Sequence, residues 1–369
     1  MTSSERVQNW KDLGPVTDRS QIPVYPMMLT YPGVVAGITQ KELVSDTDAW
    51  IQAMAATFEA VGRPDLSQGN PAGSVVFLMG LEARLPGRDL EENALYQFVE
   101  KPRMEVEDYR AILKEGWMAW YNRYLCTIQH PPITDPAEMG KLWMQVGVDA
   151  GKVGAFLASQ GVQPIHGTAL GPVFDTLSMV RSFEEFCYDL MDEPGLIHDV
   201  INKGTPEQIG MALGMVEHSP IKRISLYAMR SDANSISPAI FDEFVFPALS
   251  QMVNAFHQAG CKSVIHADGN WLPMLHRFRE LPKGSCHIEL DGVTDIFKAA
   301  EILDGWQSIR GDVPASMLAF GTPDQVSEYC EQLITRLGMK GGFVLGSGCE
   351  VPLNCKLENL RAMMNSVRG

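Results

Sequence analysis

Short apolar runs alternate with helical segments along most of this chain, and that alternation limits the fold more than any other feature. Strands are predicted at 22–30, 74–79, 161–166, 222–228, 261–266, 284–290, 306–310 and 342–346. Helices are predicted over 39–61 (two helices), 141–160, 182–190, 205–217, 238–259, 271–280, 294–302, 322–337 and 356–367. Strands that alternate with helices of this length predict an α/β fold with a parallel sheet and right-handed crossovers. About eight such units favour closure into a (β/α)8 TIM barrel.

The barrel is expected to form one catalytic domain over residues 22–369. Residues 1–21 are polar and contain proline, so they are predicted to form an N-terminal arm or a short helix outside the main fold. From about 87 to 139 the pattern is irregular and rich in charged, proline and aromatic residues. Long insertions at the rim of a barrel commonly shape a binding site. This stretch is therefore predicted to be a helical cover at the barrel mouth.

Charge and composition exclude several classes of function. The chain has 369 residues and a formal net charge of −15, with no run of Lys and Arg. Nucleic-acid binding needs a concentrated basic surface, so it is not expected. No membrane association is expected either, because no apolar stretch approaches the roughly 20 residues that span a bilayer, and no signal peptide is evident. The seven cysteines are scattered, which favours reduced thiols and a cytoplasmic location.

Two motifs bring reactive side chains to the ends of predicted strands. They are Ile265-His266-Ala267-Asp268-Gly269-Asn270 and Gly346-Ser347-Gly348-Cys349-Glu350-Val351-Pro352. The carboxyl ends of the strands of an α/β barrel meet at one rim, where such barrels place their chemistry. Imidazole, carboxylate and thiolate groups bind zinc, and three of them leave a fourth position open. His266, Asp268 and Cys349 are therefore predicted to be catalytic residues that bind a zinc ion.

Further segments accompany these motifs, at 171–172, 181–186, 236–244 with Pro247, 310–314, 321–323 and 358–360. In this order they resemble the uroporphyrinogen decarboxylase superfamily, and more closely its cobalamin-dependent methyltransferase branch. The resemblance extends from about residue 160 to the end of the chain and is weak before it. It implies a TIM barrel independently of the strand and helix pattern.

In that branch the usual zinc motif is His-x-Cys followed by a distant Cys. The resemblance implies that His266 and Cys349 are the first and last ligands, and that Asp268 stands where the middle Cys is usual. A carboxylate in place of one thiolate leaves a harder, more electrophilic zinc ion, which is better matched to oxygen than to sulfur. The resemblance thus implies an O-demethylase-type methyltransferase that moves a methyl group from a methoxylated aromatic to cobalt(I). The cobalt belongs to a corrinoid (cobalamin) carried by a partner protein, and a homodimer is expected.

An aromatic substrate agrees with the apolar and aromatic residues near the predicted strand ends. The residues predicted to bind it are Tyr25, Met27, Phe174, Tyr227 and Asp312, with Met28 and Tyr31 as further candidates. Candidates for a fourth protein ligand are Glu289 and Glu350, and Cys355 is an alternative thiol. Two other residues that follow strands are candidates to face the pocket, His166 and Asp175.

Other functions stay open. One is methyl transfer from a methylated corrinoid to a thiol of the coenzyme M type, which the missing middle Cys disfavours. Another is a metal-free barrel that acts as a binding subunit, in which Asp268 marks a lost site. Decarboxylation of an acidic porphyrinogen fits poorly, because that enzyme uses arginine after its first strand and residues 23–32 contain none. Without cationic partners, several buried carboxylates are poorly stabilised.

Overall fold

The computed structural model describes residues 2–368, without the side chains of Asn9, Lys11 and Asp12. The strands are β1 (Val24–Met27), β2 (Leu66–Ser67), β3 (Ala83–Arg84), β4 (Gln97–Phe98), β5 (Gln163–Pro164), β6 (Thr168–Leu170), β7 (Arg223–Ala228), β8 (Lys262–Ala267), β9 (Cys286–Leu290), β10 (Ser308–Val313) and β11 (Phe343–Glu350).

The α-helices are α1 (Ser3–Asp12), α2 (Tyr31–Ala36), α3 (Gln40–Ser45), α4 (Thr47–Val61), α5 (Ala72–Leu78), α6 (Val106–Glu115), α7 (Trp117–Thr127), α8 (Pro136–Ser159), α9 (Val173–Val180), α10 (Phe183–Asp192), α11 (Pro194–Val216), α12 (Pro238–Ile240), α13 (Phe246–Gln258), α14 (Ile296–Leu303), α15 (Ala315–Phe320), α16 (Pro323–Arg336) and α17 (Leu357–Asn365). A π-helical turn, Phe241–Val245, joins α12 to α13. Within residues 2–368, no helix has both the length and the apolar composition that crossing a bilayer requires.

Seven strands form one sheet in the order β1-β11-β10-β9-β8-β7-β6, and each neighbouring pair is parallel. Strands β2 and β5 form a separate parallel pair. Backbone hydrogen bonds connect the segments next to this strand pair with the seven-stranded sheet. Asp65 N–H, just before β2, donates to Val24 O, and Gly167 N–H, after β5, donates to Arg223 O. The α/β class and the parallel sheet are thus confirmed, and the sheet curls into a half-barrel.

The sheet separates two apolar regions. On its inner side Tyr25, Met27, Val264 and Val344 pack together in a small cluster with residues of the N-terminal segment. On its outer side the helices and the other faces of the strands form a much larger core. The strand Lys262–Ala267 is buried on both faces from Ser263 onward, although Ser263 and His266 are polar.

Helix α1 packs at the amino ends of the strands. It begins with a capping box between Thr2 and Glu5. The ring of Trp10 is 1% exposed and stacks on His287 of β9, with ring centroids 3.7 Å apart. Arg6 Nη2 lies 2.6 Å from an oxygen of Asp65, just before β2. The N-terminal segment therefore contacts the inner side of the sheet directly.

The irregular stretch predicted as a cover, about 87–139, contains strand β4 and helices α6 and α7. Strands β3 and β4 pair antiparallel. Helices α6 and α7 pack beside α11, where Met118 N–H donates to Glu207 Oε2 at 3.1 Å. After the hairpin, Glu100 accepts two hydrogen bonds from Arg230, both at 2.8 Å, which tie the stretch to the loop after β7.

Two predicted elements are wrong. Residues 74–79, predicted as a strand, lie within and just after helix α5, which starts after Pro71 as its N-cap. The strand of this region is instead the short β2. A short apolar run reads equally well as a buried strand or a buried helix, because it is too short to show a period. The helix predicted at 271–280 is reduced to a 3-10 turn, Leu275–Arg279.

Candidate metal centre

One row of side chains crosses four neighbouring strands of the sheet. The register pairs Tyr227 of β7 with His266 of β8, His266 with Glu289 of β9, and Glu289 with Arg310 of β10. Side chains at paired positions point to the same face of a sheet, so these four groups are neighbours. Glu289 and Arg310 are 4% and 0% exposed, which makes the middle of this row a buried pair of charged side chains.

His266, Asp268 and Cys349 come together above this row. One possible ligand atom from each of the three lies within 4.8 Å of the other two. The distance from His266 Nε2 to Asp268 Oδ1 is 3.3 Å. Among the residues that the structure describes, no other trio of His, Cys, Asp or Glu is placed to share a metal ion. The three residues predicted as zinc ligands are therefore brought together by strands β8 and β11.

The loop after β8 is built to present Asp268. Gly269 has φ +86°, a left-handed conformation that favours glycine, and it turns the chain directly after Asp268. The indole N–H of Trp271 donates to the backbone carbonyl of Asp268 at 2.8 Å. Asp291, at the end of β9, accepts a hydrogen bond from Gly269 N–H at 2.8 Å. These bonds fix the backbone, so the carboxylate is held beside His266.

Glu289 hydrogen-bonds to Nδ1 of His266, the ring nitrogen that faces away from Asp268. The distance between His266 Nδ1 and Glu289 Oε2 is 2.9 Å. In metal sites a histidine usually gives its other ring N–H to a carboxylate or carbonyl, which fixes both the tautomer and the ring orientation. With Nδ1 bound to Glu289, His266 Nε2 is the nitrogen that faces Asp268 and Cys349. The donor set and this outer partner are compatible with zinc.

The cluster is electrostatically suited to a cation. Burial opposes the charged form of His266, but Asp268, Cys349 and Glu289 outweigh it and raise the pKa of the imidazole well above its usual range. Burial likewise opposes ionisation of Asp268, yet the neighbouring His266 lowers the pKa of its carboxyl. The charged groups around the site therefore favour a positive charge at its centre, which either a proton or a metal ion satisfies.

Glu289 was a candidate for a fourth ligand, and its surroundings indicate an ionised carboxylate. Burial alone would raise its pKa, but Arg310 and His266 lower it below the usual range. The Arg310 and Glu289 side chains form an ion pair, with 3.7 Å between Arg310 Nη1 and Glu289 Oε1. Since Glu289 Oε2 already binds His266, the carboxylate supports the imidazole from behind.

Three of the residues predicted to bind substrate lie close to the cluster. The ring of Tyr227 meets His266 edge-to-face, with centroids 5.9 Å apart. Tyr25 lies under the Arg310 guanidinium, whose carbon is 4.3 Å from the ring centroid. Met27 belongs to the inner apolar cluster against which Cys349 packs. These three side chains form an apolar and aromatic wall beside the candidate ligands.

The structure does not bring the other two predicted substrate residues to the cluster. Phe174, on α9, packs against Phe186 of α10 with ring centroids 5.0 Å apart. The carboxylate of Asp312 accepts a hydrogen bond from Tyr329 of α16 at 2.7 Å. Burial, together with Asp291 and Asp295, raises the pKa of Asp312 to about 6 despite that bond. Both side chains are therefore engaged by the helical layer.

The remaining candidates also have partners away from the three ligand atoms. His166 Nδ1 lies 2.8 Å from Ser225 Oγ, and burial lowers the pKa of the ring to about 4. Asp175 accepts hydrogen bonds from Arg230 N–H and Ser231 Oγ. Glu350 accepts hydrogen bonds from the backbone and the hydroxyl of Thr30. Cys355 neighbours the predicted substrate candidate Tyr31, while Met28 is buried in the outer core.

Sequence reasoning missed two residues at this site. Tyr96 of the irregular stretch lies near Cys349, Glu350 and Tyr227. The pKa of its hydroxyl is raised, mainly by burial and to a smaller extent by these three neighbours. No motif signals Tyr96, because a long insertion carries no register that places it over a strand. Arg310 belongs to one of the segments that carry the family resemblance, 310–314, but its contacts depend on strand pairing, which a single sequence does not reveal.

A separate cavity of about 770 Å3 lies on the flank of the sheet. It runs between α7, α8 and α11, with aromatic residues at one end and methionines along α11. The residues that define these walls include Trp117, Tyr121, Trp143, Met211 and Met215. None of the three candidate ligands lines it, so the cavity is distinct from the cluster.

The fold and the cluster define a parallel α/β protein with a buried polar site at the carboxyl ends of its strands. The uroporphyrinogen decarboxylase (URO-D) family matches residues 153–369, which is more than half of the chain. The protein therefore belongs to the uroporphyrinogen decarboxylase family, as its motifs predict. The match begins close to where the resemblance was first apparent and includes both ligand-bearing strands.

A solved structure supports the same fold over the whole chain. A methyltransferase from Methanosarcina mazei superposes with a TM-score of 0.71 and 17% sequence identity, over 100% of this chain and 98% of that one. At this identity the likeness concerns the fold. No curated protein sequence matches the chain significantly.

Proposed function

We propose that this protein is a zinc-dependent methyltransferase that takes a methyl group from a methoxylated aromatic. The methyl acceptor in this proposal is the cobalt(I) of a corrinoid on a partner protein. The observation that carries the proposal is the convergence of His266, Asp268 and Cys349 within 4.8 Å, with Glu289 bound to the far nitrogen of His266. Family membership and the fold shared with a methyltransferase are consistent with it.

The mixed ligand set is the reason for proposing an ether substrate. A zinc ion bound there would act as a Lewis acid toward the ether oxygen, whose negative charge grows as the aryl–O–CH3 bond breaks. Asp268 donates less electron density than a second thiolate, which keeps such an ion electrophilic. Glu289 orients His266, and Tyr25, Met27 and Tyr227 supply a surface against which an aromatic ring packs.

The proposed transfer balances in atoms and charge. The methyl carbon leaves the phenolic oxygen without the bonding electron pair, and cobalt(I) supplies two electrons for the new carbon–cobalt bond. The products are a phenolate and methyl-cobalt(III). Phenolate is a poor leaving group, so stabilising its charge is the assistance that the reaction most needs.

The organisation of the whole chain belongs to the same proposal. We propose that residues 22–369 form one catalytic unit with eight strands closed into a TIM barrel, preceded by residues 1–21. In this proposal residues 87–139 cover the mouth, where Tyr96 already neighbours Cys349. A homodimer in the cytoplasm, in contact with a corrinoid protein, completes the proposal.

Methyl transfer to a thiol is the second candidate function. It shares the fold and the metal, but it needs a softer ion that binds and activates a thiolate. Asp268 in the ligand set disfavours it for that reason. A binding subunit without metal is the third candidate, and zinc analysis of the purified protein separates it from the two enzymes.

The test mixes the purified, zinc-loaded protein with cob(I)alamin and a simple methoxyphenol under anaerobic conditions. The expected result is a change from the cobalt(I) to the methyl-cobalt(III) absorption spectrum, with one phenolic product formed for each methyl group transferred. Variants His266→Ala and Cys349→Ala should lose zinc and transfer together. His257→Ala, at an exposed position on α13, serves as the matched control and should keep both.

Two results would contradict the proposal. Purified protein without stoichiometric zinc would favour the binding subunit. Zinc-loaded protein that demethylates methylcobalamin only when a thiol is added, and never forms methyl-cobalt(III) from the ether, would favour the thiol methyltransferase.

A further inference from the structure

Arg310 is fully buried and hydrogen-bonds to two strands besides its own. Its Nη2 donates to the backbone carbonyl of Ser347 on β11 at 2.9 Å. Its Nε and Nη2 also donate to the carbonyl of Tyr25 on β1, at 3.4 and 3.3 Å. A buried guanidinium is expensive unless its donors and its charge are satisfied. The free-energy cost of burying a guanidinium at this place in the sheet indicates that Arg310 has a role beyond packing.

On one side Arg310 supports His266 through Glu289. The two side chains are paired in register on adjacent strands, and Arg310 Nη1 is 3.7 Å from Glu289 Oε1. The other carboxylate oxygen of Glu289 binds His266 Nδ1 at 2.9 Å. A single carboxylate thus lies between the two groups: it hydrogen-bonds to the imidazole and forms an ion pair with the guanidinium that is too long for a hydrogen bond. Without the arginine, Glu289 would be a buried charge with only His266 to balance it.

On the other side Arg310 supports Cys349 through Ser347. Its hydrogen bond to Ser347 O fixes the backbone two residues before the thiol. The hydroxyl of Ser347 donates to the carbonyl of Cys349 at 2.6 Å and accepts from Met27 N–H at 2.9 Å. The carboxyl end of β11 is therefore held by a short chain of hydrogen bonds that starts at the guanidinium.

Gly346 provides the space that this arrangement needs. A Cβ atom at residue 346 would lie 2.7 Å from Arg310 Nε and 2.7 Å from Tyr25 O. Both distances are far below van der Waals contact, and one of the two atoms is backbone. Any larger residue would therefore displace the guanidinium from the Tyr25 carbonyl.

We propose that Arg310 is the positioning residue of the metal centre, which holds His266 through Glu289 and Cys349 through Ser347 in the geometry that binds zinc. The inference rests on the zinc site of the proposed function and adds the residue that organises it. Arg310 itself does not touch the ligand atoms. It acts by fixing two ligands, His266 and Cys349, that are more than 80 residues apart in the chain.

The first test compares the zinc affinity of Arg310→Lys with that of the wild type in a chelator competition. Lysine keeps the positive charge, but its ammonium group cannot reach Glu289, Ser347 and Tyr25 together. Loss of an outer-shell partner typically weakens metal binding about 10- to 100-fold, and we expect a loss in that range.

Arg223→Lys is the matched control. Arg223 is also buried, at 3% exposure, and its guanidinium also donates to two backbone carbonyls, those of Ile165 and Pro164. It lies near Trp10 at the opposite end of the strands. The same substitution there should disturb the packing to a similar degree and leave zinc affinity within about twofold of the wild type.

Two further variants each remove one of the connections from Arg310, the one to His266 or the one to Cys349. Glu289→Gln removes the charged link to His266, and Ser347→Ala removes the hydroxyl that holds the Cys349 carbonyl. In protein loaded with cobalt(II) instead of zinc, Ser347→Ala should alter mainly the thiolate-to-cobalt absorption. Combining Glu289→Gln with Arg310→Lys should weaken zinc binding by less than the product of the two separate effects, because both changes interrupt one path.

The outcomes separate this inference from the proposed function. A wild type that binds no zinc overturns both. A wild type that binds zinc, with Arg310→Lys no weaker than Arg223→Lys, overturns the inference alone, and so do independent effects of Glu289→Gln and Arg310→Lys. If Arg310→Lys does not fold, unchanged zinc affinity and cobalt spectra in both Glu289→Gln and Ser347→Ala overturn it.

Discussion

At the scale of single residues, Asp268 decides the character of the candidate metal centre. Its carboxylate stands 3.3 Å from His266 Nε2, at a place where relatives with a His-x-Cys motif would offer a thiolate. Carboxylate oxygen is a hard ligand and thiolate sulfur a soft one, so in the proposed site this position would set the preference of a bound ion for oxygen or sulfur substrates.

The substitution Asp268→Cys tests that reasoning. The variant should still bind zinc, and its cobalt(II) form should show stronger thiolate-to-cobalt absorption. Transfer from a methoxyphenol should fall roughly tenfold, which corresponds to about 1.4 kcal/mol in the activation free energy. Asp304→Asn, at an exposed helix end, is the control. Faster ether demethylation by Asp268→Cys would show that the hardness of the ion does not limit the reaction.

Asp312 offers a second prediction, because burial raises the pKa of its carboxyl to about 6, from about 3.8 for an ordinary exposed aspartate. Between these two pH values the folded protein binds the proton more tightly than the unfolded chain. This group's contribution to stability is therefore complete below about pH 4 and is lost as the pH rises through about 6.

Asp312→Asn keeps a side-chain oxygen for Tyr329 and removes the titration. The variant should gain stability relative to the wild type as the pH rises from 4 to 7, by on the order of 1–2 kcal/mol in the free energy of unfolding. Denaturant unfolding at several pH values measures this difference. Unchanged KM for the methoxyphenol is expected. A raised KM with no pH-dependent difference would instead support the substrate role predicted for Asp312.

At the scale of elements, helix α1 is more than an arm. Trp10 is almost fully buried and stacks on His287, and Val7 of the same helix is fully buried in the inner cluster. An aromatic side chain that fills the amino end of the strands excludes water from that end. The helix is thus expected to stabilise the sheet as a whole.

Replacing Trp10 by alanine should lower the free energy of unfolding by about 3–5 kcal/mol, since a buried indole leaves a large cavity. Ser4→Ala, at an exposed position of the same helix, should change it by no more than about 0.5 kcal/mol. Chemical denaturation of both variants makes the comparison. Equal stability of the Trp10→Ala variant and the wild type would mean that the segment is dispensable to the fold.

The sequence predicted most of the C-terminal elements, and the physical reason is burial. Strands β7 to β11 are largely buried on both faces and each contains apolar residues, so the sequence places them to within about four residues at either end. Helix α5 was mistaken for a strand because its short apolar run has no helical periodicity. The proximity of His266, Asp268 and Cys349 can be predicted because parallel strands bring their carboxyl ends together. The row that contains Arg310 cannot, because it depends on strand register.

At the scale of the whole molecule, the apolar core is large enough to stabilise the fold by itself. Buried apolar residues continue from Val24 of the first strand to Val367 near the C-terminus. A chain of this size does not need zinc to fold, unlike small zinc domains whose binding energy is their folding energy. The metal-free protein is therefore expected to be folded and ready to accept zinc.

Zinc should nevertheless stabilise it by mass action. At a free zinc concentration 100 times the dissociation constant, the gain in unfolding free energy is about 2.7 kcal/mol. For a chain of this length that gain raises Tm by about 3–4 °C. Differential scanning calorimetry with and without zinc measures the shift. Cys349→Ala should show none, and a similar shift in that variant would place zinc binding elsewhere.

Because one guanidinium links His266 to Cys349, the candidate metal centre would be difficult to copy into another protein. Copying only the three ligands onto another scaffold would leave each one free to rotate away, since their restraint resides in Glu289, Arg310, Ser347 and the bare α-carbon of Gly346. A designer would have to move all seven positions together. The same requirement applies in evolution, so substitutions at these seven positions should occur together or not at all.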